Sequence, residues 1–235
     1  YKKFRNSNVV KLKKIKNVIL LELFHGPTLA FKDIAMQIIG NMYERILKKK
    51  NTKINIIVAT SGDTGAAAIS AIKNRKNMKI FVLHPSGKIS RIQRKFMTTV
   101  KAKNVFNIAL IGNFDDCQKL VKSMFADKKF RNKINMSGVN SINWSRIVAQ
   151  IVYYFFSYFR IVKKNNKINF SVPTGNFGDV YAGYIAKKMG LPINKLVIAT
   201  NANDILKRVI NTGIYKPTKV KHTISPSMDI QVASN

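Results

Sequence analysis

From about residue 54 onward the sequence alternates short β-branched and aliphatic runs with longer segments of helical spacing, and this alternation narrows the fold more than any other feature. Successive parallel strands need a crossover, and a helix supplies it, so a chain of βα units is directed to a mostly parallel sheet. Residues 54–60, 79–84, 107–111, 168–172 and 195–200 are expected to form buried strands. Between them, 66–73, 90–99, 115–128, 145–163, 180–189 and 203–211 are expected to be helices, the last closed by Gly213. Earlier, an apolar strand-like run over 18–24 leads into helical spacing over 30–50. No internal repeat and no low-complexity linker breaks the pattern, so a domain boundary must lie inside the alternation.

Composition adds exclusions. Lys and Arg number 42 against 10 Asp and Glu, a formal net charge of +32, yet 46% of the residues are hydrophobic. A disordered polycation lacks core formers, so a packed core is expected. Charge of this size draws a chain to phosphate-rich polymers, and a basic nucleic-acid-binding protein is one class it permits. The distribution argues otherwise, because the lysines are spread along the chain in pairs and one triplet, 48–50, at the ends of apolar segments. No specific nucleic acid is expected as a partner. The single cysteine, Cys117, excludes an internal disulfide and a paired-cysteine zinc site, so no metal is expected and a reducing, cytoplasmic setting fits. The longest apolar stretch, 147–162, is interrupted by Gln150, Ser157 and Arg160 and reads as a buried helix, not a membrane span. The chain opens on Tyr1-Lys2-Lys3-Phe4-Arg5, without an initiator Met or a signal sequence, and is expected to be a piece of a longer protein.

Ligands of open α/β sheets bind beyond the carboxyl ends of the strands, so the loops after the expected strands are where chemistry is sought. Ser61-Gly62-Asp63-Thr64-Gly65 joins a strand to a helix opening with Ala66, Ala67 and Ala68. Its glycines allow close backbone approach, and its hydroxyls and helix N-terminus suit an anion. Pro173-Thr174-Gly175-Asn176-Phe177-Gly178-Asp179 occupies the same kind of junction and reads as a phosphate cradle. Neither is a Walker loop and neither has the GxGxxG order, which argues against nucleotide binding. The competing reading is that Asp63 and Asp179 cap their helices and the glycines serve turn geometry alone. Gly112-Asn113-Phe114-Asp115 shares three letters with the second loop but lacks its second glycine, and reads as a cap only.

A third segment, His25-Gly26-Pro27-Thr28-Leu29-Ala30-Phe31-Lys32-Asp33, runs from the early strand into a helix. In a chain so rich in lysine a surface charge is the ordinary reading of Lys32. Its apolar neighbours favour another, since burial disfavours the ammonium and can leave an amine able to form a Schiff base.

These three segments, in this order, resemble those of the threonine synthase family, the bacterial and fungal type more than the plant type. His84-Pro85-Ser86-Gly87-Lys88-Ile89-Ser90, Asn140-Ser141-Ile142-Asn143-Trp144-Ser145-Arg146 and Ala199-Thr200-Asn201-Ala202-Asn203-Asp204 extend the likeness from about residue 22 to the C-terminus. The resemblance implies an α/β fold of open, mostly parallel sheets with flanking helices, the fold type II pyridoxal-phosphate architecture typified by the tryptophan synthase β subunit. It implies one central catalytic part over 1–235, with an entry segment 1–50 carrying the cofactor lysine and βα units of two interleaved subdomains over 51–163 and 164–235. It also implies missing N- and C-terminal parts, the latter carrying the partner of the pyridine nitrogen. An isolated piece is then expected to expose apolar surface and to be poorly soluble.

The implied reaction is the conversion of O-phospho-L-homoserine and water to L-threonine and phosphate, the last step of threonine biosynthesis, with pyridoxal 5'-phosphate as cofactor. Lys32 would carry the cofactor as a Schiff base and then remove the substrate Cα proton. Gly175, Asn176, Phe177, Gly178 and Asp179 match the loop that holds the cofactor phosphate through backbone N–H groups. Ser61, Gly62, Asp63, Thr64 and Gly65 match the loop facing the substrate carboxylate and the cofactor edge. Ser141, Asn143 and Arg146, with Asn176, match the group that receives the substrate's own phosphate, for which a guanidinium supplies two parallel hydrogen bonds. Phosphate leaves from Cγ and water adds at Cβ, and the departing phosphate is a candidate base for that water. A threonine dehydratase-like or cysteine synthase-like lyase, or a relative acting on phosphorylated amino acids without making threonine, stays open within the same fold. Partners beyond the small-molecule substrate are not expected; the protein would be a monomer or a homodimer, off the membrane.

Overall fold

The structure, a computed structural model, describes residues 3–5, 7–140, 143–163 and 166–233. The chain divides into two compact units, one of residues 1–11 and 22–143, the other of residues 12–21 and 144–235. Strands β1 (Lys11–Ile15) and β2 (Val18–Glu22) pair across a two-residue turn in which Lys16 takes the left-handed conformation. The lysine-rich sequence of β1 hides its strand character, and it was not expected.

In the first unit α1 (Lys32–Lys50) is followed by β3 (Ile54–Ala59), α2 (Asp63–Ile72), β4 (Met78–Pro85), α3 (Arg91–Thr98) and β5 (Val105–Leu110). Next come α4 (Phe114–Ala126), α5 (Lys128–Lys133) and β6 (Met136–Ser137). The sheet order is β5-β4-β3-β6, with every pairing parallel: Ile56 lies opposite Ile80, Ile80 opposite Val105, and Asn55 opposite Met136. The expected open parallel α/β arrangement is therefore present. Ile56, Val58, Ile80 and Val82 of the sheet and Ala67, Ala68, Ile69 and Ile72 of α2 are almost wholly buried together. The small alanines let α2 lie close to the sheet, and burial of this aliphatic cluster drives the unit's folding.

Boundaries shift where a side chain takes over from periodicity. Helix α2 begins at Asp63, three residues before the alanine run, because the buried Thr60 hydroxyl accepts from the N–H groups of Gly62 and Gly65, both at 2.9 Å. The helix expected over 115–128 is two helices: Asp127 closes α4, and its carboxylate accepts from Phe130 N at 3.0 Å to open α5. Strand β6, two residues long, carries no readable pattern.

The second unit contains α6 (Trp144–Ile161), β7 (Ile168–Pro173), α7 (Gly178–Lys188), β8 (Ile193–Ala199) and α8 (Ile205–Thr212). Strands β7 and β8 pair in parallel, Val172 opposite Ile198. Tyr154 of α6 reaches α7 at Gly183, where a Cβ would stand 2.8 Å from the tyrosine ring. Helix α6 has apolar residues on every side but is buried on one side only: Ile147, Ile151 and Tyr158 are enclosed, whereas Trp144, Val148, Val152 and Phe159 are exposed. The hydropathy of the segment predicts a buried helix, and one side of it is buried; how far burial extends is set by what packs against the helix. No helix among the described residues is long and apolar enough to cross a membrane. The lysine triplet closes α1, and Lys187 and Lys188 close α7, where cations favour the helix dipole.

Gly65 is tightly enclosed in the first unit, since a Cβ there would lie 2.6 Å from Thr60 Cγ2, 2.8 Å from Met97 Sδ and 2.9 Å from Val82 Cγ1. Gly65→Ala should cost about 1–3 kcal/mol by overpacking, read as a lower urea midpoint with an unchanged m-value.

Candidate functional site

Lys32 is the first residue of α1, and the loop before it is built around the next residue. Asp33 is fully buried and accepts from the Thr28 N–H and the Thr28 hydroxyl, both at 2.8 Å. Gly26 must be glycine for the same reason, because a Cβ would fall 2.4 Å from the Asp33 side chain. Burial pushes the Asp33 carboxyl above the ordinary carboxylate range, opposed by the N–H and hydroxyl donors of Thr28 and the N–H of Ala30. Leu29 takes the left-handed conformation to complete the turn. The nine-residue motif is thus a rigid mount for the base of Lys32.

The Lys32 ammonium lies 3.3 Å from Asp63 Oδ2 and 4.6 Å from the centre of the Phe31 ring, with the side chain only 12% exposed. The expected burial of Lys32 is therefore observed, together with an ion pair to the second motif. Asp63 also accepts from Gln93 Nε2 at 2.7 Å. Gln93 reaches it because Ser90, the N-cap of α3, accepts from the Gln93 N–H at 3.2 Å. Ser90-x-x-Gln93 has the form of a capping box, with the return arm diverted to Asp63. Its spacing was the signal that could have revealed Gln93. The segment after His84 thereby gains a purpose: it delivers a helix that holds Asp63 in place. Gly62, at φ 140, permits the approach, since a Cβ would lie 2.4 Å from the Gln93 side chain.

The three similar loops separate once their caps are compared. Asn113 and Asp116 form a reciprocal capping box on α4, with Asn113 accepting from Asp116 N at 3.0 Å, as expected of a cap only. Asp63 does not cap α2; Thr60 holds two of that loop's N–H groups, so those two are not offered to a ligand. Asp179 does not cap α7 either. The N-cap of α7 is Phe177 in the left-handed conformation, with no side-chain cap. Left-handed followed by helical residues turns successive N–H groups to one side, an anion-binding geometry.

Gly175 lies against the chain at 227–228, where a Cβ would stand 3.0 Å from Met228 Cα. That segment is fixed by a polar clasp. Asn201 Nδ2 donates to Thr223 Oγ1 at 2.8 Å, Ser225 Oγ at 2.9 Å and Asp229 Oδ1 at 2.8 Å, and Asn203 Nδ2 donates to Asp229 Oδ1 at 3.0 Å. The asparagines of the segment 199–204 are thus structural supports for the glycine loop.

Arg146 sits in the first turn of α6 and is 3% exposed; burial pushes its guanidinium down to about 10, still charged at neutral pH. About two turns on, Tyr153 and Tyr154 hold Asp179 by hydrogen bonds of 2.5 and 3.0 Å. Sequence reasoning missed both tyrosines. Of the remaining candidates, Ser61 and Thr64 are half-buried at the start of α2, and Asn143 donates to Gly138 O at 3.1 Å. Asn176 and Gly178 stand in the uncapped loop beside Phe177; Ser141 lies outside the described residues. Lys32, Asp63, Ser61, Thr64 and Asn143 belong to the first unit, and Arg146 and the glycine loop to the second.

A family model described as "Pyridoxal-phosphate dependent enzyme" matches residues 3–235. The threonine synthase of Eremothecium gossypii is 50% identical over 250 residues, covering 100% of this chain and 49% of that protein. The threonine synthase of Pseudomonas aeruginosa is 48% identical over 236 residues, covering 100% of this chain and 50% of that protein. Among solved structures, the pyridoxal-phosphate-bound threonine synthase of Brucella melitensis superposes with a TM-score of 0.89 at 51% identity, covering 100% of this chain and 51% of that one. The chain spans about half the length of these relatives.

Because Asp33 satisfies two donors of one buried residue, Asp33→Ala should cost about 2–4 kcal/mol in unfolding free energy. Asp33→Asn, which keeps one acceptor, should lose less. Equal denaturation midpoints for wild type and Asp33→Ala would show that the carboxylate does not hold the loop.

Proposed function

The chain belongs to the family of pyridoxal-phosphate dependent enzymes, and from that premise we propose that its protein converts O-phospho-L-homoserine and water to L-threonine and phosphate. Near-half identity to threonine synthases over the whole of this chain supports the substrate. The single observation that carries the assignment is the nearly buried Lys32 on its rigid mount in the first unit; the α7 N-terminus without a side-chain cap, described by itself in the second unit, supplies the other feature this cofactor requires.

The residues present fit the cofactor. Gly175 is a position where a Cβ would fill the cradle, Phe177 leaves the N-terminus of α7 without a side-chain cap, and Lys32 is enclosed yet attached to the first turn of its helix. Gly175, Asn176, Phe177, Gly178 and the Asp179 N–H would hold the phosphate, and Lys32 would anchor the aldehyde carbon. When bound, pyridoxal phosphate supplies an electron sink for the carbanion left at the substrate Cα.

The remaining roles fall to this chain's side chains. Lys32 takes the proton from Cα and returns it there at the end. Asp63, fixed by Gln93, holds the Lys32 amine in position and offers a carboxylate to accept its proton. Ser61 and Thr64 orient the substrate carboxylate. Arg146, with Asn143, Ser141 and Asn176, binds the phosphate at Cγ before and after the C–O bond breaks, and the buried guanidinium gives that dianion a charge-assisted partner little screened by water.

Two measurements test this reading. Wild-type protein with pyridoxal phosphate should show a visible absorption band that Lys32→Ala lacks; a colourless wild type overturns the cofactor assignment. Arg146→Ala should lower turnover of phosphohomoserine by about tenfold to a hundredfold, the range of a lost charged hydrogen bond, while keeping the absorption band. Unchanged turnover would remove Arg146 from the substrate site.

A further inference from the structure

An acidic residue in the first turn of a helix ordinarily complements the positive end of the dipole, and there it competes with any anion the helix might bind. Asp179 occupies that place in α7, two residues beyond the left-handed Phe177. A carboxylate beside a bound phosphate would also repel it, and more strongly in a part of the protein with little water. The structure resolves this conflict through α6. Tyr153 donates to Asp179 Oδ1 at 2.5 Å, and Tyr154 donates to the same oxygen at 3.0 Å and to the Asp179 carbonyl at 2.9 Å.

The tyrosines are held independently of Asp179. Both are at most 3% exposed; the Tyr154 ring meets Phe170 of β7 edge-on at 4.9 Å and rests on Gly183 of α7, where a Cβ would collide with it. Burial and the neighbouring carboxylate raise the pKa of both phenols, so they remain protonated donors throughout the physiological range.

We propose that Tyr153 and Tyr154 are positioning residues that draw the Asp179 carboxylate onto α6 and so keep the N-terminus of α7 open to a phosphate dianion. This rests on the reading of that loop as the cofactor-phosphate site. The tyrosine pair does not touch the phosphate; it controls the charge that would otherwise oppose it.

The test measures dissociation constants for pyridoxal phosphate and for pyridoxal, which lacks the phosphate, by absorbance of the purified protein. Wild type must bind pyridoxal phosphate and bind it more tightly than pyridoxal; failure here overturns the underlying reading and the inference with it. Given that, Tyr153→Phe, Tyr154→Phe and the double variant should weaken pyridoxal phosphate, the double variant by about tenfold, with little change for pyridoxal. Adding Asp179→Asn to the double variant should restore most of the loss, because the repelling charge is gone. Unchanged affinity in all three tyrosine variants overturns the proposal. So does equal weakening of both compounds, or a loss that Asp179→Asn does not relieve, each of which would assign the tyrosines to packing alone.

Discussion

Parallel pairing of β3 with β4 is the constraint on which the first unit depends. With Ile54 opposite Met78 and Ala59 opposite Leu83, the two strands run the same way, β4 continuing to Pro85 past the end of β3, and the loops that follow them open at one edge. The β3 loop carries Asp63; the β4 loop leads into α3, which returns Gln93 to that carboxylate. The mount of Lys32 is built separately around Asp33 and meets them through the ion pair with Asp63. A ladder of backbone hydrogen bonds thus brings together the side chains of Asp63 and Gln93, which lie 30 residues apart in sequence.

The second unit solves a similar problem with aromatic side chains. Its two paired strands carry little of the geometry; α6 does, placing Arg146 and the two tyrosines on its buried side. The electrostatic influence of Arg146 extends to the Tyr153 phenol, so one helix links the charge assigned to the substrate with the loop assigned to the cofactor. The same buried tyrosines that pack the core also settle the direction of a carboxylate.

The alternation of strands and helices was legible because it repeats over many residues, and the three loop motifs were legible because their glycines and hydroxyls are local. What escaped was decided at a distance. Strand β1 is written in lysines, β6 is only two residues long, and Asp127 splits one amphipathic run into two helices. In the site, local reasoning offered caps for Asp63 and Asp179, whereas their actual partners, Gln93, Lys32, Tyr153 and Tyr154, lie on other elements. Sequence spacing names the groups near a ligand; only packing says which way a carboxylate turns.

The asparagine clasp has a consequence for how the chain can vary. Asn201 and Asn203 grip Thr223, Ser225 and Asp229, so the excursion between them, including α8, begins and ends at fixed points. A flexible loop loses closure entropy only with the logarithm of its length, about 0.6 kcal/mol for each doubling. Insertions or deletions in the exposed stretch after α8 therefore leave the glycine cradle in register as long as the clasp is intact. The clasp is a non-covalent staple that separates a segment free to drift in length from one that is not.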